Sequence, residues 1–89
     1  MAERRDVYIA IDTERDYQNF KWNQGQPECN PHTITEWLSY IQYYTQEGLA
    51  KQTVSHVACS GLPWLRKIAA LAVVGMEQHG APQRDGFER

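Results

Sequence analysis

Arg66 and Lys67 stand side by side just beyond a Gly61-Leu62-Pro63-Trp64 bend. Pro63 suits the first turn of a helix, where its missing N–H leaves nothing unpaired. Free amides at a helix start, with a guanidinium and an ammonium beside them, make a phosphate-binding arrangement. Ser60 is placed to cap that helix and Trp64 to stack on a base; the simpler reading of Arg66-Lys67 is a solvated basic pair. A second capable group is aromatic. Trp37, Tyr40 and Tyr44 fall near one face of a helix, and Tyr43 points elsewhere. Such rings pack a core with their hydroxyls outward, stack on a nucleobase, or anchor a protein interface. Trp22 lies beside a loop. The candidate ligand-binding residues are Trp22, Trp37, Tyr40, Tyr44, Trp64, Arg66 and Lys67, with Glu14, His32 and Glu36 as polar support.

Glu14 is aligned with the apolar face of the first helix. It reads either as a ligand partner or as a buried carboxylate paired with Arg15, His32 or Arg66 to hold the helices in register. His32 and His56 are single histidines in loops, and His79 closes a helix, where the dipole alone accounts for it. No His-x-x-x-His pairing occurs, and Cys29 and Cys59 lack metal-ligand spacing. No metal site is expected. A catalytic thiolate would need a base beside it, such as His32 or His56; the two cysteines read as inert. No catalytic residue is assigned.

Three helices must position these groups, at about 3–22, 33–47 and 63–79. In the first, Val7, Ala10, Glu14 and Tyr17 share a face with Ile11 and Phe20 beside it, while Arg4, Arg5, Asp12, Arg15 and Asp16 take the wetter side. Asn23–His32 holds Gly25, Pro27, Asn30 and Pro31 and reads as a loop. Thr33-Ile34-Thr35-Glu36 fits a capping box at the start of the second helix, and Gly48 is expected just past its end. Residues 49–61 read as a short helix or an ordered loop, since a lone strand would lack a partner. Gly80 and Pro82 end the third helix. Its stretch Ile68–Met76 is apolar nearly all round, and Ala69, Ala72 and Gly75 would admit another backbone closely. The fold class is all-α: one compact three- to four-helix domain over 1–80, completed by homo-oligomerisation, with a polar tail over 81–89.

Several strings resemble those of small uncharacterised phage and prophage proteins. They are Glu14-Arg15-Asp16-Tyr17-Gln18, Lys21-Trp22, Glu36-Trp37-Leu38, Leu65-Arg66-Lys67-Ile68-Ala69-Ala70-Leu71-Ala72-Val73 and Glu77-Gln78-His79-Gly80. That family in turn resembles, distantly, the MazG-type all-α nucleoside triphosphate pyrophosphohydrolases. The resemblance spans residues 7 to 84. It implies a helical fold and a nucleotide-sized site, and in the enzymes Mg²⁺ held by carboxylate pairs on successive helices. Here tyrosine and glutamine occupy the turns of the second helix where such pairs would stand, and the third helix carries only Glu77.

Composition bounds the remaining choices. A chain of 89 residues and 10.3 kDa buries only about 60% of its unfolded surface, which leaves a monomer marginal. A net charge of −2 gives no basic face for duplex DNA. The longest apolar run has nine residues against the ~20 of a membrane span, and Met1–Asp12 has no apolar signal core. The expected setting is the bacterial host cytoplasm, with both cysteines reduced and no membrane partner. Three functions follow. The first is a non-catalytic counter-defence factor that sequesters a nucleotide or nucleotide-derived signal. The second is a protein that inhibits a host factor through its aromatic surface. The third is a residual Mg²⁺-dependent pyrophosphohydrolase using Glu14, Glu36, Glu47 and Glu77; only this one calls for a cofactor.

Overall fold

Local signals fix the start of the second helix. In the computed structural model, which describes residues 1–22, 31–54 and 61–86, Thr33 and Glu36 form the expected reciprocal cap. The Glu36 amide donates to Thr33 Oγ1 at 3.1 Å, and the Thr33 amide donates to Glu36 Oε1 at 2.8 Å. That backbone hydrogen bond holds the Glu36 carboxyl below its ordinary value, helped by the Thr33 side chain. A carboxyl whose folded pKa is depressed adds stability above the unfolded pKa and loses it as pH falls through the folded one. Melting curves between about pH 7 and about pH 3 should therefore show wild type and Glu36→Gln diverging at neutral pH and converging in acid.

The described residues form three helices and no strand: α1 (Arg4–Trp22), α2 (Ile34–Val54) and α3 (Leu62–His79). Helix α3 lies between the other two and packs against both. Gly61 is its N-cap, without a side-chain capping bond, and Pro63 lies in its first turn. Ser60, the expected cap, lies outside the described residues, as do Cys29, His56 and Cys59. Gly80, with φ 122°, closes α3 as expected, its amide donating to the Met76 carbonyl at 2.8 Å.

Two expectations are corrected by packing. Gly48 does not stop α2, which continues through it to Val54. It is buried where α2 meets α3, and a Cβ there would stand 3.0 Å from the Trp64 Cβ. Glycine is present for close approach rather than for termination. Gly48→Ala should accordingly cost about 1–3 kcal/mol by overpacking, against the gain an exposed helical Gly→Ala would give; urea unfolding measures it.

The second correction concerns α1. Arg15, assigned to the wet side, is 7% exposed, and Gln18 is 5% exposed. Val7, Tyr17 and Phe20 face outward instead. The inward stripe is Ile11, Arg15, Gln18 and Trp22, one position round from the expected face. Arg15 is buried because its fork is filled. Nε donates to Glu77 Oε1 at 2.7 Å, Nη1 to Gln18 Oε1 at 3.2 Å, and Nη2 to Asn19 Oδ1 at 3.1 Å.

The apolar core among the described residues is small: Trp37, Ala70, Leu71 and Val74. Of the small residues expected to admit a neighbouring backbone, Gly75 does so, its absent Cβ lying 3.4 Å from Trp37. Ala70 is fully buried, while Ala69 is half-buried and Ala72 exposed. No described helix is long and apolar enough to cross a membrane.

Candidate functional site

Aromatic residues from two helices meet over α3. Trp22, at the end of α1, approaches Trp37 of α2 with ring centroids 6.1 Å apart. Trp37 and Tyr40, one turn apart on α2, are 5.7 Å apart. His32 meets both edge-on, at 5.0 and 5.3 Å. Further along α2, Tyr44 leans toward Trp64 of α3 at 6.4 Å. The rings are spaced three and four residues apart on α2 because that spacing presents one helical face. Tyr43 points away, as expected, and donates to Glu47 Oε1 at 2.7 Å. That bond to a carboxylate raises the Tyr43 pKa.

These walls enclose a cleft of about 360 Å³ between α1 and α2, with Leu71 and Lys67 of α3 on its floor. Its volume lies near the lower end of the roughly 300–1,000 Å³ of small-molecule sites. Trp22, Tyr40, Tyr44 and Tyr17 supply aromatic surface, and Lys21 and Lys67 supply positive charge. The Lys67 ammonium lies 3.9 Å from the Tyr44 ring centroid and 5.6 Å from that of Trp64. No ion pair among the described residues engages it. Gln18 lines the same cleft; its carbonyl accepts from Arg15, while its amide nitrogen is buried without a hydrogen-bond partner. An unpaired buried donor costs on the order of 1–3 kcal/mol, which an acceptor on a bound molecule would relieve.

Of the residues singled out in the sequence, Trp22, Trp37, Tyr40, Tyr44, Lys67 and Glu14 all line this cleft. Trp37 is chiefly a core ring: its indole N–H donates to Gln78 Oε1 at 2.7 Å, and Gln78 also takes the His32 amide at 3.1 Å. Trp64 lies behind Tyr44, against Gly48, and supports the wall. Arg66 does not join Lys67. Its Nε donates to Glu14 Oε1 at 2.7 Å, and its side chain lines a separate groove between α1 and α3. Residues 66 and 67 are adjacent and so point about 100° apart around α3. Glu36 is taken by the helix cap, and His32 Nδ1 stands 3.7 Å from it.

Sequence reasoning missed three participants: Gln18, Lys21 and Tyr17. Gln18 lies one turn before Trp22, so the placement of Trp22 on the cleft was the available signal.

The four carboxylates of the reduced metal cage are dispersed. Glu14 pairs with Arg66, Glu36 with Thr33, Glu47 with Tyr43 and Glu77 with Arg15. Among the described residues no three His, Cys, Asp or Glu side chains come together as a metal site. No known protein family, curated protein or solved structure matches this chain.

Proposed function

We propose that the chain is a non-catalytic binding protein whose cleft takes a nucleotide or a nucleotide-derived signal. Sequestering that molecule as a phage counter-defence factor in the host cytoplasm is the role that joins this site to the phage-protein resemblance. The observation that carries the reading is Lys67: an ammonium with no carboxylate partner among the described residues, held against the Tyr44 ring inside an aromatic cleft. A cation–π contact is worth about 0.5–1 kcal/mol at a partly wet site, so a phosphate oxygen competes for that ammonium readily. Tyr40 and Trp22 offer π surface for a base. The Gln18 amide offers a donor to an exocyclic oxygen or a ring nitrogen.

Calorimetry with mono-, di- and cyclic nucleotides tests this. Wild type should bind at least one of them saturably, and Lys67→Gln should weaken that binding about 10- to 100-fold, the value of one charge-assisted hydrogen bond. The melting temperature of Lys67→Gln should stay close to that of wild type, because among the described residues the Lys67 ammonium rests on the Tyr44 and Trp64 rings and forms no ion pair. No heat across the panel would refute the reading.

The inhibitor reading calls for an aromatic surface. Trp37, Tyr40 and Tyr44 turn inward, and the exposed rings Tyr8, Tyr17, Phe20 and Tyr43 are distributed over α1 and α2. The cleft therefore takes precedence.

A further inference from the structure

The α1 wall of the cleft carries a donor and an acceptor whose roles are fixed by their neighbours. Gln18 is 5% exposed, and its side-chain oxygen accepts from Arg15 Nη1. A guanidinium has donors only, so the Gln18 oxygen faces it and the amide nitrogen faces away. Arg15 is itself tied to Glu77 and Asn19, which keeps Gln18 from turning over. That nitrogen is buried without a hydrogen-bond partner on a residue that lines the cleft. One turn earlier, Glu14 lines the same cleft with its side chain 11% exposed. Its Oε1 takes Arg66 Nε at 2.7 Å, and its Oε2 has no hydrogen bond among the described residues. A carboxylate offers about four lone-pair sites, so the Arg66 bond leaves room for two more donors. Residues four apart on a helix stand side by side, with about 5–6 Å between Cβ atoms. Glu14 and Gln18 can therefore meet neighbouring atoms on one edge of a base. Among the described residues, the groove between α2 and α3, of about 410 Å³ and lined by Ile34, Leu38 and Met76 among others, carries no carboxylate or amide side chain.

We infer that the base held in this cleft is guanine, with its ring carbonyl on the Gln18 amide and its ring N–H and amino group on the Glu14 carboxylate. The inference rests on the nucleotide reading of the cleft and adds which base it selects. Unstacked bases are told apart by the hydrogen bonds of their Watson–Crick edge. Guanine presents one acceptor followed by two donors, which matches one fixed donor beside a carboxylate. Adenine and cytosine place an amino group beside a ring nitrogen, so they give the carboxylate one donor where guanine gives two. Uracil and thymine hold one N–H between two carbonyls, so a carboxylate on that N–H also faces a carbonyl oxygen. Hydrogen bonds to a charged group are roughly twice as strong as neutral ones, and the second donor to Glu14 decides the order. A purine also offers Trp22 and Tyr40 more ring surface than a pyrimidine does. Lys21 and Lys67 line the same cleft and remain for the phosphate, while the Arg66 guanidinium offsets the Glu14 charge.

The test is calorimetry of the full chain with the mono-, di- and cyclic-nucleotide panel prepared in matched guanine, hypoxanthine and adenine forms. Hypoxanthine keeps the ring carbonyl and ring N–H of guanine and lacks only the amino group. In whichever form binds, guanine should bind at least about 10-fold more tightly than hypoxanthine and than adenine, the value of one hydrogen bond to a charged group. Glu14→Gln should weaken guanine binding about 10- to 100-fold and hypoxanthine binding by less, because only guanine loses a partner for its amino group. A variant that merely loosened the site would weaken both by the same factor, and that result overturns the assignment of Glu14. If Glu14→Gln fails to fold, the wild-type order of the three bases still decides. Adenine or hypoxanthine binding as tightly as guanine overturns the inference and leaves nucleotide binding intact. No heat with any member overturns the nucleotide reading itself, and the base assignment with it.

Discussion

Replacing Trp37 by alanine should lower the unfolding free energy by about 3–5 kcal/mol, the range for removing a large buried aromatic. Trp37 is 3% exposed and joins all parts of the structure. Its ring meets Trp22 of α1, Tyr40 of its own helix and the backbone gap at Gly75 of α3. Its indole N–H is anchored on Gln78. Domains of this size hold roughly 5–10 kcal/mol in all, so the variant should be largely unfolded at 37 °C. Trp37→Phe separates the contributions. It keeps most of the ring burial but loses the hydrogen bond to Gln78, and should cost about 1–2 kcal/mol. Urea unfolding followed by circular dichroism checks both, and near-equal losses for Phe and Ala would contradict the account.

Arg15→Ala should cost about 2–3 kcal/mol. The side chain is 9% exposed, with three guanidinium nitrogens committed, and the guanidinium lies 5.7 Å from the Trp22 ring centroid. Loss of a buried ion-pair partner can cost 3–5 kcal/mol, but the Glu77 side chain is 53% exposed and regains water when abandoned. Arg15→Lys should recover less than half of the loss, because one ammonium cannot reproduce the planar fork that reaches Glu77, Gln18 and Asn19 together. A double-mutant cycle of Arg15→Ala with Glu77→Gln isolates the pair, with an expected coupling of about 1 kcal/mol. Full recovery by lysine would show that charge alone matters at this position.

What could be read from the sequence, and what could not, divides by the range of the interaction. The Thr33–Glu36 cap, the Gly80 stop and the inward face of Trp37, Tyr40 and Tyr44 all depend on residues a turn apart, where spacing settles geometry. Gly48 was misread because a glycine that ends a helix and one that admits a neighbouring helix look alike in sequence; only the approach of Trp64 separates them. Arg15 was misplaced for a related reason. Counting apolar residues on α1 favours Val7, Tyr17 and Phe20, whereas the buried stripe is held by polar groups whose partner, Glu77, is 62 residues away. Separation of Arg66 from Lys67 follows the same pattern. Adjacent cations form one patch in sequence, but on a helix they face different neighbours, and Glu14 takes the first. The cleft itself was half legible: its α2 wall was, while Tyr17, Gln18 and Lys21 depended on how α1 is rotated.

The central claim is that the cleft between α1 and α2 holds a nucleotide. The most direct measurement is a nuclear magnetic resonance titration of the isotope-labelled full chain with the best-binding member of the nucleotide panel. The account predicts saturable shifts at the Gln18 side-chain amide, the Trp22 indole N–H and the Tyr40 and Tyr44 rings, with Leu65 and Met76 on the far face of α3 unmoved. Shifts absent across the panel, or confined to the groove of Ile34, Leu38 and Met76, would contradict it.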